Sequence, residues 1–296
     1  MKKISLFVIP LICCLAFQAC KEENSLINLD SADQLVLDST YTSTPIPTPQ
    51  AKNVLLEDFT GVHCDNCPNA QHEALKIINS DPDRVVVVAV HSSDFSIPGV
   101  GGFPDFRTTH GNDLYVAMGN PGSEPWGAID RKVLGSTNQI LEGYAQWSAL
   151  ISSEQETTPG VNLNVISKSF DPSTGTLSMK VAATFTQSYS VPYYMSVDIT
   201  ETGIKGKQQT GDDKTYPPTG VNDSFTFAHV LRKMMSPWNG FKIASAPQAG
   251  QTYRVRFSTV LPSNWVADSC KVVSFVHQWA DPGKKNVEQV LETTVK

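Results

Sequence analysis

Two cysteines separated by two residues, set directly after a strand, constrain this chain more than any other feature. Residues 54–68 read V-L-L-E-D-F-T-G-V-H-C-D-N-C-P. Val54, Leu55, Leu56 and Phe59 suit a buried strand, Thr60 and Gly61 its exit turn, and residues 64–79 a helix. Cys64 then falls at a helix N-terminus, where unpaired N–H groups and the helix dipole favour a thiolate. Cys67, one turn on, shares its face and lies within disulfide reach. The pair is therefore expected to form a reversible disulfide, with Cys64 as the attacking thiol and Cys67 as the resolving one.

The spacing D-F-x-x-x-x-C-x-x-C, carried by Asp58, Phe59, Cys64 and Cys67, resembles the active-site segment of the thioredoxin superfamily. That resemblance implies a buried carboxylate at Asp58, beneath the dithiol, that assists proton transfer. His63 stands where tryptophan is usual, and Asp65 and Asn66 replace Gly-Pro. A carboxylate at Asp65 disfavours a neighbouring thiolate and a protonated His63 favours it, which leaves the net effect on Cys64 open. Further on, P-W-G-A-I-D-R at 125–131 resembles the cis-proline loop of such folds. Pro125 would there pack against the dithiol and help to hold an extended substrate.

The first 19 residues carry Lys2 and Lys3, then an apolar core, the layout of a secretory signal. F-Q-A-C at 17–20 resembles a bacterial lipobox, implying cleavage before Cys20 and diacylation of that cysteine, an anchor that holds durably to a bilayer. Lys21, Glu22 and Glu23 resemble the charged tag of Bacteroidetes surface lipoproteins, which places the protein on the cell surface rather than the periplasmic face. Residues 20–52 hold few large apolar side chains and end in T-S-T-P-I-P-T-P-Q, so a lipid-anchored flexible tether is expected there.

From residue 53 the pattern becomes strand, helix, strand. Ala70, Ala74, Ile77 and Ile78 make one helix face, and R-V-V-V-V-A-V at 84–90 reads as a central parallel strand. A helix around 112–118 and another over 138–153 complete an α/β thioredoxin-like domain, 53–156. Beyond 157 the helical period disappears. Strands at 161–167, 177–186, 193–200, 252–261, 271–278 and 287–295 predict an all-β immunoglobulin-like sandwich, 157–296, interrupted by a polar insertion at 206–240.

Taken together, F-T-G-x-x-C-x-x-C-P, P-x-G-x-x-D-R, H-V-L-R at 229–232, V-V-S-F-V-H-Q at 272–278 and V-E-Q-V at 287–290 resemble the outer membrane protein 28-related lipoproteins of Bacteroidetes. The resemblance implies outer-membrane attachment through Cys20 and leaves the biochemistry open.

Lys and Arg number 23 against 29 Asp and Glu, a net charge of -6 with no basic block, so nucleic acid is not an expected partner. Of six cysteines only Cys64, Cys67 and Cys270 lie beyond the leader, which is no disulfide scaffold. The C-x-x-C lacks a second ligand pair at metal spacing, and no phosphate loop, G-x-S-x-G or H-E-x-x-H occurs, so neither metal nor cofactor is expected. Two functions stay in play. One is a surface lipoprotein that binds a protein or peptide partner; the other is a membrane-tethered thiol-disulfide oxidoreductase using Cys64, Cys67, Asp58, Pro125 and His63.

Overall fold

A computed structural model describes residues 33–296 apart from 100, 136–137, 212–219 and 281–282. The signal peptide, Cys20 and the first part of the tether lie outside the described residues. In chain order the elements are β1 (Gln34–Thr42), β2 (Val54–Thr60), α1 (Cys67–Ser80), β3 (Val85–His91), α2 (Gly111–Ala117), β4 (Trp126–Ile129), β5 (Leu141–Glu142) and α3 (Tyr144–Gln155). There follow β6 (Val161–Asp171), β7 (Thr176–Phe185), β8 (Tyr193–Glu201), β9 (Ile204–Gln209), β10 (Val221–Phe227), β11 (Val230–Met234), β12 (Phe241–Ala244), β13 (Gln251–Val260), β14 (Cys270–Gln278) and β15 (Val287–Thr294).

The expected succession of an α/β thioredoxin-like domain and a separate immunoglobulin-like sandwich is not what the chain forms. The fold is mostly β, 43% strand against 16% helix, and its largest sheet ignores the boundary at 157. That sheet runs β15-β14-β8-β11-β3-β2-β4-β5, with β12 also on β8. The seam is β11, which pairs antiparallel with β8 and parallel with β3 through Val230 and Ala89. The Ala89 N–H donates to the His229 carbonyl at 2.8 Å, so the H-V-L-R segment stitches the two halves together. Local periodicity says that a stretch is a strand but not which strand it joins, and β11 lay inside the segment read as an insertion.

Three apolar layers hold the sheet. Val54, Leu56, Val85 and Val87 face α1 and α3 through Ala70, Ala74, Ile77, Trp147 and Ile151. Alternation sends Leu55, Phe59, Val86, Val88 and Val90 to the opposite face, against Leu114, Tyr115 and Met118 of α2 and its flank. Strands β8 and β14 instead stack on a second sheet, ordered β1-β13-β7-β6, through Met195, Val197, Ile199, Val272 and Val276 against Val181, Ala183, Val255 and Phe257.

Strand β1 corrects the tether. Residues 34–42, expected to run free, pair antiparallel with β13 from Gln34 opposite Ser258 to Thr42 opposite Gln251. Its Q-L-V-L-D-S-T-Y-T carries enough β-branched and aromatic side chains to add an edge strand, a pattern hidden by the Ser/Thr-rich surroundings.

Candidate functional site

Cys64 and Cys67 are joined in a disulfide, with Cα atoms 5.4 Å apart. Helix α1 starts at Cys67 rather than at Cys64; Asn66 is its N-cap residue, and Pro68 sits in the first turn, where its missing N–H costs nothing. Cys64 lies in the preceding turn, its N–H donating to the Gly61 carbonyl at 3.1 Å. The dipole therefore acts most directly on Cys67, contrary to the sequence expectation.

The disulfide is sealed: Cys64 is 2% and Cys67 3% exposed. The cover is the β9–β10 hairpin, which comes from the polar segment read as an insertion. Gln208 donates its side-chain amide to the carbonyls of Gly61 and Cys64, each at 3.1 Å. The Gln209 N–H donates to the Val62 carbonyl at 2.8 Å and the Gly211 N–H to that of Asp65 at 3.1 Å. Phe225 and Phe227 close the side, packed with Val62, Phe106 and Val230.

Beneath the sulfurs lies a cavity of about 10 Å³, room for roughly one water, lined among others by Cys67, Asp58, His91 and Gln208. Burial, and then the nearby carboxylate of Glu124, push the Asp58 carboxyl up to about 8, so it holds a proton at neutral pH. Its Oδ1 has no hydrogen-bond partner. Burial drives the His91 imidazole down to about 3 and keeps it neutral.

Glu124 escaped the sequence reading. Burial raises its carboxyl to about 7, against the lowering effect of the Ser92 and Ser93 hydroxyls that donate to Oε1 at 2.8 and 2.9 Å. An acid directly before Pro125 was the available signal. The Glu124–Pro125 peptide bond is cis. His63 lies against Phe103 with ring centres 4.2 Å apart and the planes tilted by 47°, and its Nε2 is 3.2 Å from the Pro98 carbonyl oxygen. Asp58, Cys64, Cys67 and His91 thus meet around one covered disulfide. Where β3 ends, an open groove of about 460 Å³ shares His91 with the cavity beneath the sulfurs and is lined by Ser92, Ser93, Asp94, Asp105, Arg107 and Asn112.

His229 and Arg232 do not share a helix face. His229, at φ 54°, is the bend before β11, and Arg232 reaches Glu201 at 3.0 Å and lies over the Trp265 ring. Cys270 is a free, buried thiol whose ionisation burial pushes up to about 12. Among the described residues no group of three or more His, Cys, Asp or Glu side chains is placed to hold a metal.

The outer membrane protein Omp28 family matches residues 112–296, well over half of the sequence. The chain belongs to the Omp28 family. This Omp28 protein carries Pro125, Asp130, Arg131 and the H-V-L-R seam inside the matched region, whereas Asp58, Cys64 and Cys67 precede it. Its fold is similar to that of HBP35 of Porphyromonas gingivalis, with a TM-score of 0.63 and 15% identity over 83% of this chain and 76% of that one. A crystal structure of a protein from Agrobacterium tumefaciens aligns over 84% of this chain and 97% of its own, at 14% identity and a TM-score of 0.48. No curated protein matches the sequence.

Proposed function

We propose that this Omp28-family protein is a lipid-anchored outer-membrane surface protein that binds a protein or peptide partner, with the Cys64–Cys67 disulfide as a structural staple at rest. The observation that carries this reading is the burial of both sulfurs under β9 and β10, since an exchanging dithiol must be reached by its substrate. The open groove at the end of β3 offers a concave surface to a partner. Cys20 supplies the anchor, and residues 21–23 favour the outer face.

A second reading, thiol-disulfide exchange, is favoured by Asp58. A substrate thiolate would attack the Cys64 sulfur, the Cys67 sulfur would leave with the bonding pair, and the protonated Asp58 carboxyl would hand it a proton. Pro125 would position the peptide, and His63, when protonated, would favour a thiolate at Cys64. This chemistry requires the hairpin to move first.

Turnover of a fluorescent mixed-disulfide peptide decides between them. Equal rates for the wild type and the Cys64→Ser/Cys67→Ser pair support the binding reading, and turnover that needs the cysteines replaces it with exchange. Independently, a photo-crosslinking residue at Thr109, exposed in the groove, should give one discrete protein adduct on intact cells. The absence of any adduct rejects partner binding there. Cys20→Ala should leave the membrane fraction, and protease added to intact cells should cut the wild type.

A further inference from the structure

Glu124 brings a second carboxyl to the edge of the sheet that carries Asp58. β4 pairs antiparallel with β2, Asp58 opposite Gly127 and Phe59 opposite Trp126. Two residues before Trp126, Glu124 lies against Gly61, two residues past Phe59: a Cβ built on Gly61 would fall 2.7 Å from Glu124 Oε2. The other oxygen, Oε1, accepts from the Ser92 and Ser93 hydroxyls at the end of β3, at 2.8 and 2.9 Å. One side chain thus spans the ends of the parallel strands β2 and β3, where the chain turns toward Cys64.

The two carboxyls are unequally provided. Glu124 is half-buried, and two hydroxyls donating to one of its oxygens favour the charged form. Asp58 is 2% exposed and its Oδ1 receives no hydrogen bond, which favours the neutral form. Glu124 Oε2 is likewise buried without a partner, so little screens one group from the other. Like charges in such a layer repel, and ionisation of either opposes ionisation of the other. Tyr115 of α2 gives its hydroxyl to the Ser123 carbonyl, and His91 at the end of β3 is kept neutral by burial, with Arg232 and Asp105 acting on it. Neither Tyr115 nor His91 brings a positive charge to the pair. His63 lies against Phe103, and Asp94 is exposed beyond Ser93. The order of strengths agrees: burial raises Glu124 to about 7, while burial and Glu124 together raise Asp58 to about 8.

We propose that Glu124 is the positioning residue for Asp58: the two carboxyls ionise as one unit, Glu124 first, and the charge so placed holds the proton on Asp58 beneath the disulfide. This holds whether the disulfide is a staple or exchanges, because both carboxyls stand in place with the sulfurs joined. Under exchange it has a chemical consequence. Asp58 meets the departing Cys67 thiolate as an acid with a proton to give, carboxylic acid and thiolate becoming carboxylate and thiol. Glu124 touches neither sulfur and acts through Asp58 alone.

Infrared spectroscopy of the full-length protein with its disulfide intact, titrated from acid to alkaline pH, reads each protonated carboxyl by its C=O stretch. The Asp58 band is identified by its loss in Asp58→Asn, which separates it from the other raised carboxyl, Asp198. In the wild type it should persist through pH 7 and fade with a midpoint of about 8. In Glu124→Gln, which keeps the shape and removes the charge, the midpoint should fall by about one pH unit. An unmoved midpoint overturns the proposal, because the two carboxyls then titrate independently. A wild type without the Asp58 band at pH 7 also overturns it. If Glu124→Gln does not fold, shown by alkylation of the buried Cys270, Ser92→Ala with Ser93→Ala is read on the same band. Loss of both donors keeps Glu124 neutral to higher pH, so the Asp58 midpoint should again fall, and an unmoved one overturns the proposal. Turnover of the mixed-disulfide peptide bears on the function and leaves this readout intact.

Discussion

Arg131 grips Glu57 inside the sheet, Nε to Oε2 at 2.7 Å and Nη2 to Oε1 at 2.6 Å, with both side chains sealed from solvent. The guanidinium also lies over the Phe275 ring at 4.9 Å, so one side chain from the P-x-G-x-x-D-R segment touches strands from both halves of the sequence. Asp198 sits in the same layer, its carboxyl pushed up to about 8 by burial and by the charge of Glu57, against the opposing pull of Arg131. The arrangement balances one buried cation against one buried anion and keeps the third group neutral.

Removing one partner should be costly. Glu57→Gln leaves the Arg131 charge buried without its anion, and equilibrium denaturation should register a loss of roughly 3–5 kcal/mol. Replacing both, Glu57→Leu with Arg131→Met, should recover most of it. A double variant no better than the single would mean that the pair's packing, not its charge, sets the cost.

Asp58 should make stability pH-dependent. Its carboxyl titrates near 8 when folded and near 3.8 when free, so from about pH 4 to pH 8 the native state binds the extra proton and stability falls as pH rises. Asp58→Asn cannot lose a proton. It should be more stable than the wild type by roughly 4 kcal/mol at pH 7, with the difference vanishing near pH 4. Urea midpoints at the two pH values check this, and equal midpoints at pH 7 refute it.

Gly127 on β4 faces Trp147 of α3, and a Cβ there would lie 2.4 Å from the indole. Trp147 is fixed by its Nε1–H bond to the Glu142 carbonyl at 2.9 Å and cannot retreat cheaply. Gly127→Ala should therefore cost about 1–3 kcal/mol and alter the tryptophan emission. An unchanged spectrum and midpoint would show that α3 shifts freely.

Cys270 should stay silent in the folded state. Buried and with its thiol held protonated, it should resist iodoacetamide at pH 8 until denaturant is added. Rapid labelling of native protein would contradict its placement at the start of β14.

Much of the local structure was legible in the residues. The β-branched run of β3, the alternating strands from β6 to β8 and from β13 to β15, and the apolar face of α1 all announce themselves by period. The C-x-x-C spacing pointed to the disulfide. The pairing partners of those strands were not legible, because a strand buried on both faces reads the same beside any neighbour. Glu57 is an instructive miss: an acid inside V-L-L-E-D-F implies a buried cation, and Arg131 in P-W-G-A-I-D-R was available. Gln208 left no comparable trace, since its role depends on a polar hairpin folding back across nearly 150 residues of sequence.

Strand β1 has a mechanical consequence. Tension applied from the N-terminal side reaches the fold at Gln34, opposite Ser258, on the smaller sheet. It would peel β1 from β13 before any of it arrived at Val54 and the disulfide-bearing strand. If the protein hangs from the membrane by that end, β1 acts as a strain relief, and shear at the cell surface unravels nine residues of edge while Cys64 and its cover stay in place.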